Sequence, residues 1–387
     1  MNTTTTFDCG IPKGPQLTDS IKMATLAVLF LIGAPVNTFI LFRLLKRLRT
    51  TRTFFLLNLH LNISDMLIMY IYVVSEFCWM LVWSWQGGLV LCKLVKFLQL
   101  LAFQISSSIV VCISIDRAKM SLGSGSLKPR SGRIRTMLWI AWIQSLLSSS
   151  PQLFVWETHR DPCRDGVWEC ATIFQVARWE ALTRNRTHIP VLLSQLELVY
   201  ASVHLISVFW LPFSVTLVCY CIILRNIFHR KRRTSSRDES QDNSVITYSL
   251  SQNGYVRVRF SNDTGGSSSC FTSLRVRRAQ YKTIRVTLLI LSAYVLLWGP
   301  YNCLSLWSMI DPVSVWSNRF LVNSLEFLYS LIIVNSVINP FLYGWYAARE
   351  NRHIPSSDDI HNLLNCRCAC AIGQRKRQSQ RKQLQYS

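Results

Sequence analysis

The stretch Asn335-Ser-Val-Ile-Asn339-Pro340-Phe-Leu-Tyr343 places two amides and a proline inside an otherwise apolar segment near the carboxyl end of the chain. Proline removes a backbone hydrogen bond from a helix, and polar side chains in hydrocarbon need partners. A membrane-spanning helix that carries both features is therefore expected to be a moving part of the protein and not a simple anchor.

The composition of the whole chain predicts a membrane protein. Of its 387 residues, 50% are hydrophobic and 16% are charged, and the mean hydropathy is positive. This is too apolar for an ordinary soluble protein of the same length. A helix needs about 20 apolar residues to cross a bilayer. Runs of this kind, which we number spans 1 to 7, lie near residues 23–43, 54–80, 92–115, 136–157, 196–224, 284–308 and 321–346. We predict an all-α bundle of seven transmembrane helices.

The distribution of charge predicts the orientation of the bundle. The net charge of +22 comes mainly from Lys and Arg in the loops after spans 1, 3 and 5 and in the carboxyl-terminal tail. Basic loops lie on the cytoplasmic side, so we expect an extracellular tail at 1–20, a bundle at 21–349, a cytoplasmic tail at 350–387 and residence in the plasma membrane. This pattern accounts for the charge without a nucleic-acid partner. Within the bundle, residues 229–281 are basic, polar and predicted to be disordered.

The cysteines outside the spans predict covalent features on both sides of the membrane. Cys92 opens span 3 on the outer side and Cys170 lies in the long outer loop, so a disulfide is expected between them. Cys9 and Cys163 are a second extracellular pair that could form a bridge. Asn2 and Asn185 are extracellular glycosylation acceptors. In the basic tail we expect palmitoylation, in preference to zinc binding, of Cys366, Cys368 and Cys370.

Several motifs, taken in order, resemble the rhodopsin-class (class A) G protein-coupled receptors. Asp65 lies mid-way along span 2, Asp116-Arg117-Ala118 ends span 3, and Asn339-Pro340-Phe-Leu-Tyr343 lies in span 7. Further landmarks are Trp142 in span 4, Pro212 and Tyr220 in span 5, and Tyr294-Val-Leu-Leu-Trp298-Gly-Pro300 in span 6. The resemblance covers Ile21 to Arg349 and implies a seven-helix bundle followed by a short amphipathic helix.

The resemblance also implies a sodium site and an activation switch. In this class the positions of Asp65, Ser106, Asn335 and Asn339 form a sodium pocket, and all four carry oxygen here. The alternative is a hydrogen-bonded network without an ion, and no other cofactor is expected. Arg117 would pair with Asp116 in the closed bundle and be released to meet a G protein. Ala118 departs from the usual tyrosine. The implied switch residues are Asp116, Arg117, Tyr220, Trp298, Pro300, Asn339, Pro340 and Tyr343.

The outer half of span 3 indicates a peptide ligand. Lys96 and Gln99 are one helical turn apart, and amine receptors have an aspartate where Gln99 stands. The stretch Cys92-Lys-Leu-Val-Lys96-Phe-Leu-Gln99 is similar to the vasopressin and oxytocin receptors. Glu76, eleven residues after Asp65, matches an acidic ligand contact of the gonadotropin-releasing hormone receptors. A structural pair with Lys96 is the alternative role for Glu76.

We therefore expect a receptor, not an enzyme, for a neuropeptide or peptide hormone of the gonadotropin-releasing hormone/adipokinetic hormone or vasopressin/oxytocin type. Such relatives imply signalling through a heterotrimeric G protein, phospholipase C and calcium, with arrestin, receptor kinases and membrane lipid as further partners. The alternatives are a receptor of the same fold for a small lipid or pheromone, and a membrane transporter. The candidate ligand-binding residues are Glu76, Lys96, Gln99, Gln152, Trp298, Tyr301, Asn302 and Tyr329.

Overall fold

A computed structural model describes residues 17–47, 53–122, 130–162, 164, 166–183, 190–238, 246–250, 256–260, 274–311, 314–315 and 317–350. Residues up to Leu342 form one compact unit, and a second unit begins at Tyr343. The predicted features at Asn2, Cys9, Cys163, Asn185, Cys366, Cys368 and Cys370 lie outside the described residues. The same is true of the segment after Glu350, where the amphipathic helix was expected.

Seven long helices, α1 to α7, correspond to the seven predicted spans. Their bounds are Leu17–Arg47 (α1), Gly88–Leu122 (α3), Arg130–Ser149 (α4), Leu274–Ile310 (α6) and Arg319–Glu350 (α7). α2 consists of Thr53–Leu67, a π-helical segment Ile68–Val73, and Val74–Val82. α5 consists of Val191–Leu205, a π-helical segment Ile206–Trp210, and Leu211–Asp238. The predicted all-α membrane bundle is confirmed, and the long helices of the described residues are consistent with seven spans.

Length and apolarity by themselves identify fewer membrane spans. Among the described residues, α1, α2, α3, α5 and α6 are long and apolar enough to cross a bilayer, and α7 contains the shorter apolar stretch Phe327–Leu342. α4 begins with the basic residues Arg130, Arg133 and Arg135, which make its inner turns polar. Its place in the bundle follows from its packing against α3.

α3 is the central helix of the bundle. It packs against α2, α4 and α5 and also reaches α6. In its apolar stretch 78% of the residues are buried, compared with 28% for α1, α2 and α6. The outer helices expose large apolar side chains, such as Leu31 and Trp139, because their natural solvent on that face is lipid. α1 joins the bundle at Gly33, where a Cβ would lie 2.7 Å from Met69 Sδ and 2.9 Å from Val337.

The predicted end of span 4 was too late. α4 ends at Ser149, eight residues before the predicted boundary at residue 157, and is followed by a single turn, Gln152–Val155. Pro151 is the physical reason, because proline disfavours the helical conformation in the residue before it. The chain then forms a strand, β1, from Trp156 to Arg160.

The outer loop between α4 and α5 is a folded cap. β1 pairs antiparallel with β2, Trp168–Thr172, with Trp156 opposite Thr172. The loop helix, Ile173–Thr183, follows at once. The predicted disulfide between Cys92 and Cys170 is confirmed, and it joins β2 to the outer end of α3 beside the buried Trp85.

The described parts of the inner loop between α5 and α6 contain regular secondary structure. α5 continues to Asp238, α6 begins at Leu274, and two antiparallel strands, β3 (Ile246–Leu250) and β4 (Val256–Phe260), lie between them. Two local patterns favour this secondary structure, and the disorder expected across 229–281 stays a prediction. Helices propagate from their apolar ends, and Val256-Arg-Val-Arg-Phe alternates with the period of a strand.

Candidate ligand pocket and receptor core

Glu76 forms a buried polar cluster with α3 at the outer end of the bundle. Lys96 Nζ donates to Glu76 Oε1 at 2.9 Å, and the two side chains are only 10% and 13% exposed. Gln99 Nε2 donates to the same Glu76 oxygen at 3.0 Å and to Ser75 Oγ at 2.8 Å. Three of the predicted ligand-binding residues are thus brought together, and they satisfy one another.

The π-helical segment of α2 directs Glu76 toward α3. A regular α-helix would make about three turns over the eleven residues from Asp65 to Glu76 and would place the two side chains on one face. The segment Ile68–Val73 is wound more widely than an α-helix, so each of its residues turns the chain through a smaller angle. Ser75 and Glu76 therefore face Lys96 and Gln99. The sequence has no proline or glycine in this segment that could have signalled the change.

Lys96 is also enclosed by aromatic rings. Its ammonium lies 4.6 Å from the centroid of the Trp79 ring and 4.9 Å from that of Trp156. The indole of Trp156 donates in turn to the amide oxygen of Gln152, another predicted ligand-binding residue. A cation on an aromatic face is stabilised electrostatically, most strongly when it is desolvated. Lys96 consequently joins α2, α3 and the β1 strand, which sequence analysis did not foresee.

Below this cluster lies an aromatic floor made of Tyr72, Phe103, Trp298, Tyr301 and Tyr329. Ring centroids are separated by 5.2 Å for Tyr72 and Phe103, 5.8 Å for Phe103 and Trp298, and 4.9 Å for Tyr301 and Tyr329. Most of these contacts are edge-on, the geometry that aromatic pairs favour. Trp298, Tyr301 and Tyr329 were predicted as ligand contacts, whereas Tyr72 was missed.

Asn302 is held by its own helix. Its side-chain nitrogen donates to the carbonyl of Trp298 at 2.8 Å, and the residue is 3% exposed. The side-chain nitrogen of Asn302, a predicted ligand-binding residue, therefore already has a partner within α6. A ligand could bind to its amide oxygen or to the second N–H of its amide nitrogen.

The outer cap is attached to α5 through the loop helix. Phe174 packs on Tyr200 with centroids 5.8 Å apart, and Arg178 forms an ion pair with Glu197. On the other side of the loop helix, the ring of Trp179 lies 6.3 Å from that of His159 on β1. The cap is thus fixed to α3 by the disulfide and to α5 by these contacts.

The turn of the outer hairpin has its own charged cluster. Arg164 Nε donates to Asp161 Oδ2 at 2.5 Å, and its guanidinium also pairs with Glu169 and lies 5.5 Å from the Trp83 ring. Burial raises the pKa of Glu169, against the opposing effect of the Arg164 charge. Burial acts to lower the pKa of Arg164, but its hydrogen bond to Asp161 and the nearby Glu169 raise it overall.

A polar network occupies the middle of the bundle. Asn339 Nδ2 donates to Asp65 Oδ1 at 3.1 Å. Among the described residues, Ser106 Oγ, Asn339 Oδ1 and both polar side-chain atoms of Asn335 are buried without a hydrogen-bond partner. The four residues of the predicted sodium site thus lie in the buried interior, and several of their oxygens remain available. Such oxygens suit a hard cation such as sodium.

The inner end of α3 has a contact of Asp116 that was not predicted. Arg133 of α4 donates to Asp116 Oδ1 at 3.4 Å, and Asp116 is fully buried. Arg117 is 2% exposed, and its Nη1 donates to Met120 Sδ at 3.4 Å. Sequence analysis missed Arg133. The predicted switch also includes the side chain of Tyr343, which lies outside the described part of the chain.

The remaining switch residues occupy α5, α6 and α7 as predicted. Ala118 packs against Cys219 and Ile223, so its small side chain allows α3 and α5 to approach closely, beside the half-buried Tyr220. Pro300 lies inside α6 and Pro340 inside α7. Trp298 is 1% exposed and packs on Tyr294 with centroids 5.1 Å apart.

Comparison with known proteins agrees with this architecture. The sequence pattern of the 7 transmembrane receptor (rhodopsin family) matches residues 36–343. The chain belongs to this family. The protein is thus a receptor and not an enzyme, and a multi-pass protein of the plasma membrane. The transporter alternative is not supported.

The receptor is similar to several characterised sequences across most of its length. It is 32% identical to the G-protein coupled receptor daf-38 of Caenorhabditis elegans, over 88% of this chain and 92% of the relative. It is 23% identical to a gonadotropin-releasing hormone receptor of Octopus vulgaris, covering 86% of this chain and 73% of that one. It is 24% identical to cephalotocin receptor 1 of the same octopus, over 86% of this chain and 78% of that receptor.

Proposed function

We propose that the receptor binds an extracellular peptide of the gonadotropin-releasing hormone/adipokinetic hormone or vasopressin/oxytocin type. The observation that carries this proposal is the cluster of Glu76, Lys96 and Gln99 at the outer end of the bundle. Two similar receptors, from the octopus, are named for a gonadotropin-releasing hormone and for cephalotocin. The cluster contains a carboxylate, an ammonium and an amide, which together can recognise the charged and polar groups of a peptide.

Ligand binding at this site involves an exchange of partners. Glu76 Oε1 already accepts from Lys96 and Gln99, so a peptide donor that binds to this oxygen must replace one of them. Exchange inside a buried site costs little only when the ligand supplies equivalent hydrogen bonds. A peptide can do so with backbone amides, while an apolar or aromatic side chain reaches the floor formed by Phe103, Trp298 and Tyr329.

The aromatic floor connects the ligand to the moving helices. Trp298 lies just before Pro300, and a proline inside a helix is a point at which the helix can bend. A ligand that favours one packing of Trp298 against Phe103 shifts the bundle toward the state with the inner end of α6 moved outward. In that state the inner end of α3, with Arg117, engages a heterotrimeric G protein. Signalling then proceeds through phospholipase C and calcium, and arrestin and receptor kinases end it.

A sodium ion is proposed as a resident of the polar network. Asp65, Ser106, Asn335 and Asn339 would hold it, since their buried oxygens include several without a partner among the described residues. The ion supplies positive charge beside the carboxylate of Asp65. Loss of that charge on activation would favour rearrangement of the Asn339–Pro340 region.

A receptor for a small lipid or pheromone remains the second candidate. The specific observation in its favour is that the charges of Glu76 and Lys96 neutralise each other above an aromatic floor. A ligand with one polar head and an apolar body could bind there without exchanging an ion pair.

A single cell-based screen separates the candidates. Cells that express the receptor and a calcium reporter are exposed to pools of amidated neuropeptides, to amines and to lipids. We expect a response to a peptide pool that is absent from untransfected cells and from cells expressing Arg117→Ala. A response confined to lipids would replace the peptide proposal by the second candidate, and one confined to amines would contradict both.

A further inference from the structure

One face of the outer hairpin is directed toward the bundle. Alternate positions of paired strands share a face, and on this face Trp156, Thr158 and Arg160 of β1 lie opposite Thr172, Cys170 and Trp168 of β2. Trp156 contacts the ammonium of Lys96, and Cys170 forms the disulfide with α3. Arg160 and Trp168 are the last pair on the same face. Four residues of extended strand, about 13 Å, separate this pair from the end of the hairpin at the ligand pocket.

The hairpin lies at the level of the outer membrane surface. Leu81 and Val82 at the outer end of α2 are 64% and 52% exposed, and Val90 in the first turn of α3 is 79% exposed. Apolar side chains exposed to this extent on a membrane-spanning helix indicate that lipid reaches them. Val90 is two residues from Cys92, about 3 Å along α3. The disulfide therefore fixes β2 at a level where lipid still contacts α3.

The first outer loop holds Trp168 at this level. α2 ends at Val82, and Trp83 follows in the left-handed backbone conformation, with φ 59°. The chain turns there directly to the hairpin, where the backbone N–H of Trp85 donates to the carbonyl of Trp168 at 2.7 Å. The backbone N–H of Trp168 donates to Ser84 Oγ at 3.1 Å. The ring of Trp168 is 42% exposed, and tryptophan is enriched at the boundary between membrane and water.

Arg160 and Trp168 carry hydrogen-bond donors that the protein does not use. The guanidinium of Arg160 lies 5.2 Å from the centroid of the Trp168 ring, and within the described part of the chain the exposed Arg160 forms no ion pair. Arg164 differs, since it is held by Asp161 and Glu169. The indole N–H of Trp168 also has no acceptor among the described residues. The pair therefore presents a positive charge and several donors, which suit the oxygens of a phosphate group.

We propose that Arg160 and Trp168 form a headgroup site that binds the phosphodiester of one phospholipid of the outer leaflet. The planar guanidinium donates two parallel hydrogen bonds to the phosphate oxygens, a geometry that arginine supplies and lysine does not. The indole N–H donates to a further oxygen of the same headgroup, and the acyl chains lie against Leu81 and Val90. A lipid without a phosphate offers no anion to Arg160. The bound phospholipid attaches the far end of the hairpin to the bilayer.

Photolabelling with two lipids tests the headgroup site. The full-length receptor is reconstituted into phosphatidylcholine nanodiscs that contain a trace of either phosphatidylcholine or glucosylceramide, each with a diazirine near the top of one acyl chain. Labelled peptides are mapped by mass spectrometry. We expect peptides from 81–91 and 156–172 to be labelled about tenfold more by the phosphatidylcholine probe, because glucosylceramide has no phosphate. Around Trp139, which is exposed on α4, the ratio of the two labels should be near one.

Three variants and one soluble competitor make the test specific. Arg160→Gln should bring the ratio at the hairpin near one, and Trp168→Phe should lower it about threefold. Arg178→Gln, which changes another exposed arginine of the outer loop, should leave it unchanged. Loss of folded receptor lowers both labels and does not alter their ratio. A ratio near one in the wild type, or an unchanged ratio in Arg160→Gln, would overturn the site. An unchanged ratio in Trp168→Phe would overturn the part of the indole.

Glycerophosphocholine distinguishes a membrane lipid from a soluble phosphodiester. In large excess it should leave the labelling ratio unchanged, because it has no acyl chains to lie against α2 and α3. A ratio that falls to one in its presence would overturn the assignment to a phospholipid of the outer leaflet.

Discussion

The ammonium of Lys96 and the carboxylate of Glu76 lie 2.9 Å apart in a site that also contains Gln99, Trp79 and Trp156. This pair decides how the outer pocket can be used. Both charges are mostly buried, so each depends on the other for its stability, and neither is free to meet a ligand without compensation. The pair is therefore both a structural connection between α2 and α3 and the group that a peptide ligand would contact.

Removing one member of this pair should harm the receptor more than removing both. Lys96→Met leaves a buried carboxylate without its cation, and we expect destabilisation of about 3–5 kcal/mol. Glu76→Gln together with Lys96→Met should restore most of the melting temperature, because no charge is left unpaired. The check is a thermal melt of purified single and double variants. If the double variant melts lower than Lys96→Met alone, the pair does not act as a coupled unit.

The contact between Asp116 and Arg133 should affect basal signalling. Arg133→Ala removes a donor to Asp116 and weakens the link between α3 and α4 in the present arrangement. If this contact is worth about 1 kcal/mol, basal activity should rise about fivefold. Ligand-independent calcium or inositol phosphate signals, normalised to surface expression, measure this. Arg135→Ala, an exposed neighbour on the same helix, is the matched control and should not raise them.

Sodium should stabilise the receptor through the central polar network. Replacing potassium by sodium at constant ionic strength should raise the melting temperature. When the sodium concentration is ten times its dissociation constant, the gain in folding stability should be about 1.4 kcal/mol. Asp65→Asn and Ser106→Ala should each reduce that increment. An equal sodium effect in Asp65→Asn and wild type would show that the ion acts elsewhere.

Glu169 should make the stability of the outer cap depend on pH. Burial raises its pKa above the ordinary value of 4.5 in the folded protein. The neutral form is thus favoured by folding, and this contribution is fully present below pH 4.5 and is lost as the pH rises through the raised folded pKa. Glu169→Gln should therefore show a flatter dependence of melting temperature on pH just above 4.5. Glu180→Gln, on the exposed side of the loop helix, should retain the wild-type slope.

The order of the helices and the disulfide could be predicted because they depend on local patterns. Apolar runs of sufficient length mark spans wherever they occur, and Cys92 and Cys170 were paired because one opens span 3 on the outer side and the other lies in the outer loop. The end of α4 was misplaced because Pro151 interrupts a run that is still apolar. The strands β3 and β4 were missed because their alternation lies inside a polar, charged segment that was predicted from composition to be disordered.

The partners of the buried polar residues were harder to predict. Asp116 was expected to pair with the adjacent Arg117, whereas the structure adds Arg133 from the next helix. Glu76 was expected either to contact the ligand or to pair with Lys96, and the structure shows the pair with Lys96. Which side chains meet in each case depends on how one helix is rotated about its axis relative to its neighbour. Small differences in helical winding change that rotation.

The sequence by itself determined that the chain lies in a membrane, that it has seven helices in a fixed order, and that the landmarks of the rhodopsin family occupy them. These properties depend on the hydropathy and spacing of residues close together in the chain. Only the tertiary structure decided which other groups meet, such as Lys96 with Trp156 and Arg133 with Asp116. The reason is physical: buried polar groups must find partners, and the packing of the helices determines which partners are within reach.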